Sequence, residues 1–318
     1  MSANILVIGD VMLDKYLIGN VHRISPEAPV PIVNITNEKT TLGGSANVAF
    51  NLKCLGVNSY SFGVVGIDSD STEIDTLLKE KKIGDLLFRT NTISTTVKTR
   101  IIGEKQQIVR LDREDFFRLN DSLLNHLDNV ITKHIFNTII ISDYNKGVCS
   151  SDICTYTIKY ARENNIKIIV DPKGNDWEKY RGAYIVTPNL KEFQEITQIK
   201  IDNNDDHEIV KIGKGILDRY DFQNLLVTRS EKGMSLISVE DGAIHFPAKA
   251  QKIYDVSGAG DTVVSTIGVG LSYGLSLKKS IEIANIAAGI VVGKLGTAPI
   301  MLEELSEYMI ENHEQLPL

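Results

Sequence analysis

Cysteine is scarce: Cys54, Cys149 and Cys154 are the only three in 318 residues, an odd number with no Cys-x-x-Cys pair. That excludes a disulfide framework and a thiolate zinc site, and is expected of reduced thiols in a cytoplasmic protein. Long apolar runs are also missing. Before Gly9-Asp10 there is only Ile5 to Ile8, too short for a signal peptide, and no run elsewhere is long enough to span a membrane. Basic charge is in deficit, with 34 Lys and Arg against 41 Asp and Glu, a net charge of −7 and a pI near 5.5. That balance argues against a nucleic-acid or anionic-membrane surface, although small phosphates need only a local basic pocket. The six histidines show no metal-ligand spacing, and no Ser/His/Asp arrangement is evident. There is no repeat, low-complexity tract or linker. The 42% hydrophobic and 24% charged content is that of a globular chain. A single domain over 1–318 is expected.

What is present is an alternation. Asn4 to Ile8, Tyr60 to Val65, Thr138 to Ile141, Ile166 to Val170, Tyr184 to Val186 and Leu225 to Val227 read as strands separated by helical segments. Met234 to Val239 with Ala243 to Phe246 reads as a hairpin, and Ala259 to Tyr273 and Leu277 to Lys294 as long helices. Strands alternating with helices predict an α/β fold: a mainly parallel sheet with helices on both faces. Two β-rich excursions, at about 14–42 and 88–112, break the rhythm and are expected to form a small β-sheet lid. In the first, Pro26, Pro29 and Pro31 favour short exposed strands or an extended flap. The second turns at Gly103-Glu104-Lys105. Asp10, Asp143, Asp171, Asn189 and Thr228 all follow strands, so they are expected to gather at one edge of the sheet, where open α/β folds bind ligands.

The most suggestive stretch is Asp255-Val256-Ser257-Gly258-Ala259-Gly260-Asp261, placed between a strand end at Ile253-Tyr254 and a helix. A Gly-Ala-Gly turn at a helix start exposes unpaired amides to an anion. Asp261 is then either a first-turn helix acid, which the helix dipole favours, or a base for a hydroxyl attacking a phosphoryl group. Other candidates carry the same ambiguity. Asn189 and Glu192 share a helix face and suit a hydrated Mg²⁺ or a phosphate, but also make a capping box. Lys173, in Asp171-Pro172-Lys173-Gly174, is a phosphate clamp or a solvated loop lysine. Thr228, Arg229 and Gly233 bind nucleotide phosphate or simply turn the chain into the hairpin. Gly43 and Gly44 admit a polyol, with Asn47 pointing at its hydroxyls, or act as a hinge. Asp10 and Asp14 accept sugar hydroxyls or serve turn chemistry. Lys98, Arg100 and Arg110 close on a substrate phosphate or protect a sheet edge; Lys146 is a fourth basic candidate.

These motifs in this order, from Ile5 to about Pro299, resemble the ribokinase-like (PfkB) carbohydrate kinases. The resemblance narrows at Gly9-Asp10-Val11-Met12-Leu13-Asp14, at Arg23 to Pro31 and at Val291 to Thr297. It is there similar to the members that phosphorylate the anomeric oxygen of D-glycero-β-D-manno-heptose 7-phosphate for ADP-heptose and lipopolysaccharide synthesis. The resemblance implies a three-layer ribokinase-like fold and ATP as donor. It implies Asp261 as base, with the amides of Gly258, Ala259 and Gly260 stabilising the transferring group. Asn189 and Glu192 would organise Mg²⁺ through water, and Thr228, Arg229 and Gly233 would line the nucleotide site with Asn285 near the adenine. Asp10, Asp14, Gly43, Gly44, Asn47 and Asp143 would hold the sugar. A monovalent cation such as K⁺ would sit at Asp255 and neighbouring carbonyls.

Many such heptose kinases are fused to a nucleotidyltransferase. With no His-x-Gly-His motif before Leu318, this chain is expected to make the bisphosphate and leave the next step to a separate protein. A lid with open edges is expected to pair with a second copy as a homodimer. Another sugar-phosphate or nucleoside kinase of the same fold is the competing enzyme reading, and a non-catalytic sugar-phosphate sensor the competing non-enzyme one. A dinucleotide oxidoreductase is excluded, because the first strand ends in Gly9-Asp10-Val11-Met12 where Gly-x-Gly-x-x-Gly is needed.

Overall fold

A computed structural model describes residues 3–104, 106–203, 205–249, 254–294, 296 and 298–311. Lys105, Ile253, Leu295 and Thr297, which figure in the expectations above, lie outside the described residues. The chain enters through β1 (Asn4–Gly9) and makes β2 (Val11–Ile24) and β3 (Pro31–Gly44) before α1 (Ser45–Cys54). Then come β4 (Asn58–Phe62), β5 (Val64–Gly66), α2 (Ser69–Glu80), β6 (Gly84–Asp85), β7 (Phe88–Thr90), β8 (Val97–Gly103) and β9 (Gln106–Arg113). From α3 (Asp121–Lys133) the elements are β10 (Thr138–Ser142), α4 (Ser151–Glu163), β11 (Lys167–Asp171), β12 (Ile185–Val186), α5 (Leu190–Thr197) and α6 (Asp206–Tyr220). β13 (Asn224–Thr228), β14 (Met234–Ser238), β15 (Gly242–Phe246), α7 (Ala259–Ser272), α8 (Leu277–Val291) and α9 (Leu302–Glu311) complete the chain.

Apolar residues run without a break along the inner strands because both faces of a parallel sheet are covered. Ile5, Val7, Ile140 and Ile169 pack on one side, against Val48 and Leu52 of α1, Val264 and Ile267 of α7 and Ala284 of α8. Leu6, Ile8, Ile139, Ile141 and Val170 pack on the other, against Leu123 of α3, Ile153 of α4, Phe193 of α5 and Ile216 of α6. Period-2 alternation thus sorts one run of residues into two cores. The result is three layers around a nine-stranded sheet in the order β15-β14-β13-β12-β11-β10-β1-β4-β6, parallel except for the β13-β14-β15 edge. This is the expected three-layer arrangement of a mainly parallel sheet with helices on both faces.

The excursions form a second, four-stranded sheet, β3-β2-β8-β9. Two details depart from the expectation. Its first two strands are not short: β2 and β3 run for 14 residues each. Pro26 and Pro29 fall in the connection and Pro31 is the first residue of β3, positions where a missing amide breaks no inner ladder bond. Tyr60 to Val65 is not one strand either. The chain breaks at Gly63, where an added Cβ would lie 2.5 Å from the carbonyl oxygen of Gly9, so β4 stays in the main sheet. β5 leaves to pair with β7, and the second excursion joins the small sheet only from Val97. The small sheet is fastened at its base: Lys15 and Arg113 both bind Asp70 of α2, and Lys146 binds Glu114 at 2.6 Å.

Candidate active site

The parallel strands end together, and β2 and β8 of the small sheet reach over their ends. Between them lies a cavity of about 310 Å³. Of the candidate residues it is lined by Asp14, Gly44, Asn47, Lys98, Arg100, Asp143, Lys173, Asn189, Glu192, Thr228, Gly258, Gly260 and Asp261. These come from eight separate stretches of chain, so the gathering of polar strand ends at one edge is a property of the fold.

Of the three helices that start at this cavity, α1, α5 and α7, two differ in one respect from the other helices with described caps. α2, α3, α4, α5, α6 and α8 begin at Asp68, Asn120, Ser150, Asn189, Asp205 and Ser276, whose side chains accept from first-turn amides. α1 and α7 begin at Gly44 and Gly258, at φ of 56° and 80°, with no side-chain cap. That backbone region suits glycine, which carries no side chain to occupy the orphan amides. α7 therefore presents free N–H groups and a positive dipole end to the cavity.

Asp261 sits in the first turn of α7 and is buried. Asn47 Nδ2 donates to its Oδ2 at 2.6 Å and Tyr144 Oη donates to its Oδ1 at 3.0 Å. The reach from α1 is set by packing: Ser265 of α7 donates to the carbonyl of Val48, so the two helices lie side by side. Burial pushes the Asp261 carboxyl up to about 6; the Asn47 and Tyr144 hydrogen bonds hold it down and the charge of Asp14 adds to the rise. Such a group is charged at neutral pH yet basic enough to take a proton. Burial, reinforced by Asp261, also raises the Tyr144 phenol well above its usual range, so its oxygen keeps the proton it donates.

At the other end of the cavity both readings of Asn189 and Glu192 hold at once. Asn189 Oδ1 accepts from the amide of Glu192, and Glu192 Oε2 accepts from that of Asn189, a complete capping box. The second carboxylate oxygen of Glu192 faces Lys173 Nζ at 2.7 Å. Asp171 lies beside this pair; burial, with Asp261 and Glu192 nearby, raises its carboxyl well above the usual range.

On the small-sheet side, Arg100 is committed to Asp14 at 2.5 Å. Lys98 is half-buried, and among the described residues it makes no salt bridge. Burial lowers its pKa, as expected of a cation withdrawn from water.

Several other candidates are held by partners within the framework. Asp10 is buried behind the cavity, its carboxylate accepting from the amides of Tyr144, Lys146 and Val148 at 2.9–3.1 Å. Burial and the charge of Asp143 push it to about 6 against those bonds. Arg229 turns into the protein, binding Asp206, Ser235 and Asn203. Asn285 donates to the carbonyl of Pro247, and Gly233 closes the turn after β13. Arg110 is exposed and pairs with Asp112; Lys146 is taken by Glu114. Gly43 lies behind Asp14, and Ala259 starts α7 without lining the cavity. Asp255 accepts from the amides of Ser257 and Gly296 outside it. Asp143 does line the cavity, but its Oδ2 is held by Lys179 and Tyr180 at 2.5 and 2.6 Å. The residue missed altogether is Tyr144. Its one signal was its place after β10 in Asp143-Tyr144-Asn145-Lys146-Gly147.

The family model described as pfkB family carbohydrate kinase matches residues 2–304. The bifunctional protein HldE of Pasteurella multocida (strain Pm70) is 41% identical over 96% of this chain, and that of Aliarcobacter butzleri (strain RM4018) 40% identical over 98%. The chain spans 63% and 65% of the length of those two proteins. Among solved structures, Escherichia coli phosphofructokinase-2 in complex with potassium superposes with a TM-score of 0.81 at 18% identity, covering 99% of this chain and all of that one. Arabidopsis thaliana ribokinase complexed with ribose and ATP gives 0.74 at 18%, covering 96% and 98%. The structural likenesses show the fold, and the family match runs over nearly the whole chain: the chain belongs to the pfkB family of carbohydrate kinases and is an ATP-dependent sugar kinase.

Proposed function

We propose that the chain transfers the terminal phosphoryl group of ATP to the anomeric hydroxyl of D-glycero-β-D-manno-heptose 7-phosphate, giving the 1,7-bisphosphate. The observation that carries the phosphosugar reading is Lys98, a half-buried cation that makes no salt bridge among the described residues and shares the cavity with Asp261. An acceptor that already bears a phosphate would supply the missing anion. The heptose itself is supported by the resemblance at residues 9–31 and by the HldE relatives.

In this mechanism Asp14, Gly44 and Asn47 hold the sugar with the acceptor hydroxyl toward Asp261. The hydroxyl oxygen bonds to phosphorus, its proton passes to Asp261, and ADP leaves. The open amides at the start of α7, around Gly258 and Gly260, stabilise the charge on the transferring group. Lys173 and Thr228 serve the nucleotide phosphates. Mg²⁺ keeps several of its waters and needs few protein oxygens, which fits the cavity-lining carboxylates of Glu192 and Asp171 with Asn189 beside them. It would screen the charge of the phosphates. A K⁺ site at Asp255 belongs to the same reading. The small sheet acts as a lid that excludes water over the bound sugar.

A panel of sugars, sugar phosphates and nucleosides with ATP consumption as readout tests the substrate. The heptose 7-phosphate should exceed its unphosphorylated parent by at least tenfold in kcat/KM; a nucleoside or unphosphorylated sugar turning over best would overturn the assignment. Lys98→Ala should raise KM for the phosphosugar by about 10–100-fold, the size of one lost charge-assisted contact, with kcat little changed. An unchanged KM places the phosphate elsewhere.

We further propose a homodimer through the lid, because Ile108, Val109 and Leu111 on the edge strand β9 are 41–53% exposed beside unpaired backbone. Sedimentation at micromolar concentration should give twice the chain mass; a monomer would refute this. The bisphosphate would then pass to a nucleotidyltransferase. The free thiols of Cys54, Cys149 and Cys154 support a cytoplasmic setting.

A further inference from the structure

The base has two neighbours, and only one of them has a hydroxyl. Asn47 engages Oδ2 of Asp261 from α1, and Tyr144 engages Oδ1 from the loop after β10. That loop is anchored on three sides. Asp10 accepts from the amides of Tyr144, Lys146 and Val148; the amide of Phe117 donates to the carbonyl of Lys146 at 2.8 Å; and Lys146 Nζ reaches Glu114. Glu114 follows directly on β9, so the tyrosine is tied both to the main sheet and to the chain leaving the small sheet.

We propose that Tyr144 is a positioning residue for the catalytic base, its hydroxyl fixing the orientation of the Asp261 carboxylate and favouring its charged form. This rests on Asp261 being the base. A carboxyl group bound by one amide alone can rotate about its last bond; a second donor on the opposite oxygen stops that rotation and leaves the remaining lone pairs aimed into the cavity. The acids facing Asp261 act the other way, and the cations that line the same cavity are Lys98, Arg100 and Lys173. Asp14 of β2 raises its pKa, and Asp171 of β11 is a further acid beside it, while Arg100 is committed to Asp14 and Lys173 to Glu192. Against burial and these acids, Asn47 and Tyr144 are the two donors that keep the carboxylate charged.

Tyr144→Phe keeps the ring and removes the donor. The acidic limb of kcat/KM, measured with any phosphosugar that the wild type accepts, should move up by about one pH unit, since a hydrogen bond to a charged group is worth roughly that shift. Turnover near neutral pH should fall about tenfold with KM for ATP unchanged. A second readout needs no substrate. The Asp261 carboxyl ¹³C signal, identified by its loss in Asp261→Asn, should titrate about one unit higher in Tyr144→Phe. If neither limb nor signal moves, the proposal is overturned, even where turnover drops. A rise in the sugar KM with the limb in place would make Tyr144 a substrate contact, and also overturns it. If Asp261→Asn retains wild-type turnover, the base reading itself fails, whatever Tyr144→Phe does.

Discussion

Asp261→Asn should lower kcat by about 10²–10⁴, the usual contribution of a positioned general base. The substitution preserves size and burial. The new amide can still accept from one of Asn47 and Tyr144, and can donate to the tyrosine oxygen, so the helix start and the cavity should survive. KM for ATP should therefore stay within about threefold of wild type, because the nucleotide end is built from other residues. The pH dependence follows from the same carboxyl. Burial lifts it to about 6, and a base must be unprotonated to act. Wild-type kcat/KM should then be flat above about pH 7 and fall roughly tenfold per unit below 6. Initial rates across pH 5–8 check both points. Near-normal turnover in a folded Asp261→Asn protein would remove the carboxylate from the reaction.

Lys179→Met should be the most damaging substitution for stability among residues bordering the site. Lys179 Nζ lies 2.5 Å from Asp143 Oδ2, and the two side chains are 10% and 1% exposed. Burial opposes the charge on Lys179, but Asp143 outweighs it and raises the lysine pKa. Removing the cation leaves a buried carboxylate whose donors, among the described residues, are the Tyr180 hydroxyl and the Asn145 amide. Breaking one side of a buried pair costs about 3–5 kcal/mol, chiefly from the charge left behind. The thermal midpoint should fall by about 5–10 °C. The paired change Lys179→Met with Asp143→Asn removes both charges and should recover more than half of that loss. Thermal unfolding of the two variants at one pH decides it. An unchanged midpoint in Lys179→Met would show that the pair contributes nothing to the fold.

Much of the fold was legible in the sequence because its signals are local. Continuous apolar runs such as Ile5 to Ile8 mark strands buried on both faces, and Asn189-x-x-Glu192 and the uncapped Gly258 are written in a few adjacent residues. The strand β5 was misjudged because its departure depends on how closely Gly63 approaches Gly9, 54 residues away. The prolines around residue 30 suggested short strands or an extended flap; they punctuate two long strands, since nothing local reports how far a hairpin extends beyond its turn.

For the site, sequence alone determined which residue types stand at the strand ends and which helices open with glycine, for these follow from chain order and local backbone geometry. The direction of each side chain was decided only by the tertiary structure. Asp10 and Asp14 are four residues apart, yet one holds a loop and the other faces the cavity. Asp261 meets Tyr144 across 117 residues and Asn47 across 214. No periodicity encodes such meetings. They arise because α1, α7 and the loop after β10 pack at one sheet edge, and that packing buries a carboxylate with two donors.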